Sequence, residues 1–95
     1  MNRADQLAAL KADLQIMTDK LDETLLLPML DGAKSMISRE GIKLDDSAED
    51  GLLTVMYAAY LYRKRKGDDQ AMPRMLRYAL NNRLFSQKAR GDTDG

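Results

Sequence analysis

Cysteine and histidine are both absent from this chain of 95 residues, and their absence removes most routes to catalysis. Without cysteine there are no disulfides and no thiolate metal ligands. Without histidine there is no usual general base at neutral pH, no common zinc ligand and no base for a Ser-His or Cys-His nucleophile pair. We therefore expect no enzymatic activity, no cofactor and no metal site.

Proline and glycine are scarce, at two and six residues, and β-branched residues are few, which favours helices. No apolar run approaches the roughly 20 residues that cross a bilayer, and the N-terminus lacks the pattern of a signal peptide. The apolar fraction of 44% and the charged fraction of 32% are typical of a folded, soluble domain. These features predict a single all-α domain over residues 1–95, built as a small bundle of about four helices. We expect no contact with a membrane, and we expect residues 91–95 to form a flexible tail.

Charge is balanced over the whole chain but unevenly distributed along it. Residues 1–59 hold six Lys/Arg and eleven Asp/Glu, a net charge of −5. Residues 60–90 hold nine Lys/Arg and two Asp, a net charge of +7. A molecule with two such poles can stack head to tail on copies of itself, or offer one pole to a partner of opposite charge.

Leucines recur on one stripe over residues 3–14 and predict a short first helix. A second helix is predicted from Leu21 to about Glu40, with Thr18 or Asp19 as its N-cap. Its apolar residues fall on one helical face, at Leu25, Leu26, Met29, Leu30, Ala33, Met36 and Ile37.

Two residues are expected to bound this second helix. Pro28 either kinks it or marks its true start, because proline lacks the amide donor and clashes with the chain one turn back. Gly41 is expected to end it, since glycine readily adopts a positive φ.

Residues 52–62, LLTVMYAAYLY, are apolar around nearly the whole circumference of a third predicted helix. Ser47 is its expected N-cap, and Glu49 and Asp50 lie in the first turn, where negative charge is favoured. Such a helix must be covered on all sides. Either the rest of the chain wraps it completely, or part of it faces another subunit. In the second case the candidate intersubunit residues are Tyr57, Tyr60 and Leu61.

Four consecutive cations, Arg63, Lys64, Arg65 and Lys66, follow directly on this apolar helix. Cations at this position complement the negative end of the helix dipole, so the run is explained either as helix punctuation or as a contact with a partner. Asp68 and Asp69 then precede the last helix, where Pro73 fits the first helical position.

The last helix carries an apolar stripe formed by Met72, Met75, Leu76, Ala79 and Leu80, opposite a polar stripe formed by Arg74, Arg77, Asn81 and Lys88. The pattern then breaks, because Leu84 and Phe85 fall toward the cationic side and Arg83 falls on the apolar side. Either the chain bends at residues 81–82, or Leu84 and Phe85 project from the subunit. An apolar pair on a basic segment is typical of a protein-docking site. The candidate docking residues are Arg74, Arg77, Arg83, Leu84, Phe85 and Lys88.

Nucleic-acid binding is the alternative interpretation of the basic C-terminal third. Its cations could contact phosphates with a salt-sensitive affinity. The chain as a whole, however, has a pI near 6.2 rather than the strongly basic value of a dedicated nucleic-acid binder. No zinc-finger spacing and no helix-turn-helix pattern is present.

Three segments resemble the head-tail connector proteins of tailed bacteriophages, which are also described as DNA-packaging proteins. They are LLLPMLDGAKSMISREGIKL, DSAEDGLLTVMYAAYLYRKRK and MPRMLRYALNNRLFSQK, and the resemblance covers roughly residues 5–90. Ala33, Lys34 and Ile37 match the family's second element, and residues 58–63 match the centre of its third. Residues 75–80 with Leu84 and Phe85 match its terminal segment.

The resemblance implies a ring of copies beneath the portal of a capsid, found in the host cytoplasm during assembly and then in the virion. Such rings prolong the DNA channel and provide the surface to which stopper or tail-completion proteins attach. By this resemblance Leu84, Phe85 and the surrounding cations form a C-terminal docking segment. The four cations at residues 63–66 become a ring contact or a non-specific contact with DNA in the channel.

Overall fold

The computed structural model describes residues 1–67 and 71–91. Four α-helices and no β-strand occur within these residues: α1 (Arg3–Leu14), α2 (Leu27–Arg39), α3 (Ala48–Arg65) and α4 (Arg74–Ala89). The predicted all-α class with about four helices is therefore confirmed. The predictions for Asp68, Asp69 and the last four residues lie outside the described residues.

Side-chain caps determine where α1 and α3 begin. The Asn2 side chain accepts a hydrogen bond of 2.7 Å from the backbone N–H of Asp5. The Ser47 hydroxyl accepts one of 3.1 Å from the backbone N–H of Asp50, as predicted for this residue. Each cap satisfies an amide that has no partner inside the helix and contributes about 1 kcal/mol to stability.

The start of α2 differs from the prediction, because a π-helical turn occupies Asp22–Leu26. Pro28, at the beginning of α2, has no amide donor, and its ring would clash with the carbonyl four residues earlier. The chain therefore widens ahead of the proline, and the Leu26 N–H donates to the Leu21 carbonyl at 2.9 Å. Of the two alternatives for Pro28, the helix start is the one observed.

The predicted cap of this segment at Thr18 or Asp19 is wrong. Leu21 precedes the π-helical turn and makes no side-chain cap, while the Thr18 hydroxyl accepts a hydrogen bond from the Lys20 N–H at 3.2 Å. At the other end of α2, Gly41 has a φ of +94°, which supports its predicted role in ending the helix.

Helix α3 is the central element of the core and contacts α1, α2 and α4. The buried apolar side chains come from all four helices, from the π-helical turn and from the α2–α3 loop: Leu10, Leu26, Leu30, Ala33, Ile37, Ile42, Leu53, Val55, Tyr57, Ala58, Ala59, Leu76 and Leu80. The chain itself thus wraps most of α3. Within the apolar segment 52–62, the exceptions are Leu52 and Met56, which are 51% and 37% exposed. Within the described residues, no helix has the length and apolar character needed to cross a membrane.

Helix α4 runs without a bend through residues 81–82 to Ala89. Four of its residues, spaced about one helical turn apart, are buried: Leu76, Leu80, Arg83 and Gln87. The last two of these are polar. The alternative of a chain bend is therefore not observed.

Truncating a core leucine should test this packing. Leu30 is fully buried in α2, and the substitution Leu30→Ala should lower the free energy of unfolding by about 2–5 kcal/mol through lost burial and a residual cavity. The measurement is chemical denaturation followed by circular dichroism. The matched control is Met17→Ala, a side chain that is 95% exposed and should change stability by less than about 0.5 kcal/mol. Similar losses for the two variants would contradict the described core.

Candidate protein-docking surface

A buried ion pair joins α4 to the start of α3. Arg83 Nε lies 2.7 Å from Asp50 Oδ1, and the side chains are 7% and 1% exposed. Arg83 Nη2 donates both to Asp50 Oδ2 at 3.0 Å and to the Lys43 carbonyl at 2.7 Å. The hydrogen bond to Asp50 raises the pKa of the Arg83 guanidinium further above its usual range. This contact sets the position of α4 against α3.

Gln87, one turn beyond Arg83, binds the backbone of the α2–α3 loop. Its amide nitrogen donates to the Gly41 carbonyl at 2.8 Å, and its amide oxygen accepts from the Lys43 N–H at 2.8 Å. Together, Arg83 and Gln87 form hydrogen bonds with three partly buried backbone groups of the loop. We call these two side chains with Asp50 the α4 clamp.

A second ion pair supports the same helix nearer its beginning. Arg77 Nη1 and Nη2 donate to the two carboxylate oxygens of Glu40 at 2.8 and 3.3 Å, and this contact raises the pKa of the Arg77 guanidinium. It joins α4 to the end of α2.

Exposed apolar residues concentrate on α3 and α4. Of the seven large hydrophobic side chains that are exposed in the described residues, five belong to these two helices: Leu52, Met56, Met75, Tyr78 and Phe85. Tyr78 and Phe85 are 56% and 75% exposed, and they lie seven residues apart on the outward face of α4. The exposed cations Arg74 and Lys88 lie within a turn of them. We call these four residues the α4 crest.

Beside the crest, α3 and α4 leave an open groove between them. It is lined by Glu49, Leu52, Leu53, Met56, Ala79, Asn82, Arg83 and Ser86. The apolar part of this lining consists of Leu52, Leu53, Met56 and Ala79. In the adjoining wall, Arg83 Nη1 is buried and has no hydrogen-bond partner among the described residues. We call this feature the α3–α4 groove.

The four consecutive cations project from the last turn of α3. Arg63 pairs with Asp13 of α1 at 3.1 Å, and the ammonium groups of Lys64 and Lys66 lie over the rings of Tyr60 and Tyr62. All four cations are exposed. Their internal contacts are consistent with helix punctuation, while their exposure leaves them accessible to a partner.

Two of the residues predicted for contact with partners are buried instead. Tyr57 is 7% exposed, because α2 and α4 cover that side of α3, and burial raises the pKa of its hydroxyl. Arg83 is 8% exposed, because its position on the apolar stripe of α4 directs it inward to Asp50. Neither side chain is available to another subunit, and their predicted roles in docking are corrected accordingly.

The other predicted residues divide into two groups. Leu84, Tyr60 and Leu61 are partly buried and pack against the core, and Arg77 is engaged by Glu40. Phe85 projects from α4, which agrees with the second of the two alternatives given for the break in the apolar pattern. Arg74 and Lys88 are exposed beside it, and their role in docking remains a prediction.

Several residues of this surface were missed by sequence reasoning. Leu52 and Met56 lay in a segment that is apolar all round, so the pattern did not indicate which face stays open. Tyr78 was detectable, because it lies two helical turns before Phe85 on the same face. Gln87 was also detectable, because it continues the one-turn spacing of Leu76, Leu80 and Arg83.

The α2–α3 loop carries its own electrostatic feature at Asp45. The Ser47 hydroxyl and the Ser47 backbone N–H, the latter at 2.9 Å, donate to the Asp45 carboxylate. These bonds lower the pKa of Asp45 to about 2. Asp45 is therefore fully charged at neutral pH.

Within the described residues, no group of three or more acidic side chains is arranged to hold a metal ion. No protein-family model matches the chain, and no curated protein and no solved structure shows significant similarity to it.

Breaking the α4 clamp should destabilise the protein strongly. Arg83→Met leaves Asp50 buried without its cation and should cost about 3–5 kcal/mol. Denaturant unfolding measures this loss. The matched control is Arg74→Met on the exposed side of the same helix, which should change stability by less than about 0.5 kcal/mol. The double variant Arg83→Met/Asp50→Asn should recover part of the loss, because no unpaired charge remains. An Arg83→Met variant as stable as the control would show that the pair does not hold α4.

Removing the Ser47 hydroxyl should raise the pKa of Asp45. The folded-state pKa is depressed, so the stabilisation is present above the unfolded value near 3.8 and is lost as the pH falls toward about 2. In Ser47→Ala the pKa should move up toward 3.8, as followed by NMR titration of the carboxyl carbon. Ser35→Ala, at an exposed serine of α2, is the control. An unchanged pKa in Ser47→Ala would refute the assigned hydrogen bond.

Proposed function

We propose that this chain is a structural subunit of a head-tail connector ring in a tailed bacteriophage. It docks on the portal, extends the DNA channel and provides the attachment surface for stopper or tail-completion proteins during virion assembly. It performs no chemistry. It acts first in the host cytoplasm and then at the head-tail junction of the virion.

The observation that carries this proposal is the pair of exposed aromatic side chains on the α4 crest. Tyr78 and Phe85 are more than half exposed on a helix whose polar residues Arg83 and Gln87 are buried. Covering a large apolar side chain is worth about 1.5–3 kcal/mol, and aromatic residues with neighbouring cations are enriched at protein interfaces. This surface supports a protein that is completed by other subunits. The phage setting rests on the sequence resemblance.

The internal ion pairs weigh against the alternative of a dedicated nucleic-acid-binding domain. Arg63, Arg77 and Arg83 are each paired with a carboxylate of the same chain. Those partners reduce the positive potential available to phosphates. DNA contact is therefore proposed only as a non-specific one inside the channel, through the exposed cations Lys64, Arg65 and Lys66.

Ring formation on the portal tests the proposal directly. The full chain, mixed with the portal protein encoded by the same genome, should bind and form a ring that is visible by electron microscopy and by particle mass. The variant Tyr78→Ser/Phe85→Ser should reduce ring occupancy, with an apparent affinity weaker by at least about tenfold, because apolar burial of two side chains is lost.

The control for this prediction is Met17→Ser, which removes an even more exposed apolar side chain outside α3 and α4. It should leave ring formation unchanged. A wild-type chain that never binds the portal would refute the proposed function. Duplex DNA binding by the wild-type chain alone, with affinity falling steeply as salt rises, would instead favour the nucleic-acid alternative.

A further inference from the structure

The α4 crest and the α3–α4 groove are matched in length. Tyr78 and Phe85 are separated by two helical turns, about 10 Å along the axis. The groove is bounded on α3 by Glu49 and Met56 and on α4 by Ala79 and Ser86, which are also seven residues apart. A helix that presents anchors seven residues apart fits a groove two turns long, as in helix-in-groove recognition.

The two surfaces are also matched in charge. The crest carries exposed cations near both of its ends, at Arg74 and Lys88. Where α3 begins, the groove carries the exposed carboxylate of Glu49. The acidic loop that contains Asp45 and Asp46 directly precedes this end of α3. Because cations lie at both ends of the crest, either direction of docking brings a cation toward Glu49. This complementarity follows the two charge poles of the chain.

The groove wall also contains a donor that lacks a partner. Arg83 Nη1 is buried and makes no hydrogen bond within the described residues, although the rest of the guanidinium is fully engaged with Asp50 and Lys43. Buried donors are nearly always paired in native assemblies.

We infer that the α4 crest of one copy docks into the α3–α4 groove of the next copy, so that the chain associates with itself head to tail. This inference rests on the proposed function for its repeating geometry. Crest and groove are different surfaces of one molecule, so each copy uses its crest on one neighbour and its groove on the other. Such a contact repeats until a ring closes.

The test is the mass of the full chain in solution, without portal, from micromolar to near-millimolar concentration by sedimentation. The wild-type chain should grow beyond the dimer. Phe85→Asp places a negative charge in the crest, and Met56→Asp places one in the groove. Each substitution should weaken association by tenfold or more. Met17→Asp, at an exposed methionine elsewhere, should associate like the wild type. Circular dichroism checks that each variant is folded.

The decisive experiment mixes Phe85→Asp with Met56→Asp. The intact crest of Met56→Asp fits the intact groove of Phe85→Asp, so the one-to-one mixture should form a dimer and stop there. A wild-type chain that stays monomeric or stops at dimers overturns the inference, as does a mixture that remains monomeric. Ring formation on the portal by a chain that is monomeric alone would refute this contact and leave the proposed function standing. Self-association in solution by a chain that never binds the portal would support this contact and refute the proposed function.

Discussion

The surface of this protein depends on one buried contact, the ion pair between Arg83 and Asp50. Helix α4 contributes only two fully buried leucines to the core, Leu76 and Leu80. Two leucines fix how closely a helix packs but leave its rotation poorly determined. The charged pair, with Gln87 on the backbone of the α2–α3 loop, defines that rotation through directional hydrogen bonds. The positions of the crest and of the groove both follow from it.

The same contact connects the local structure of the α2–α3 loop to the docking surface. Ser47 caps α3 and donates to Asp45. Asp50, in the first turn of α3, accepts hydrogen bonds from the Asp45 N–H at 2.8 Å and from the Arg83 guanidinium. The loop contributes Ile42 to the core, and its backbone groups at Gly41 and Lys43 form hydrogen bonds with α4. A disturbance at the start of α3 therefore reaches the crest, because Arg83 and Phe85 lie on the same rigid helix.

Sequence reasoning recovered the elements better than their contacts. The caps and breakers, Ser47 and Gly41, act locally, so short-range chemistry is enough to predict them. The π-helical turn was missed because it arises from Pro28 acting on residues that otherwise read as regular helix. The burial of Tyr57 and Arg83 was missed for a different reason. Whether an apolar or charged side chain is covered depends on neighbours distant in the chain, and Asp50 lies 33 residues from Arg83.

The ion pair also explains why the exposed face of α4 is the aromatic one. Rotating α4 so that Tyr78 and Phe85 turn inward would gain about 1.5–3 kcal/mol for each of these side chains, but it would expose Leu76 and Leu80, now 2% and 1% exposed, at a similar cost. That rotation would withdraw Arg83 and leave Asp50 buried without a cation, at a cost of about 3–5 kcal/mol. It would also remove the two hydrogen bonds of the Gln87 amide to partly buried backbone groups of the loop, at a cost of about 0.5–1.5 kcal/mol each. Because the apolar gain and loss largely cancel, the polar contacts decide the orientation of α4 and keep the aromatic side chains on the outside.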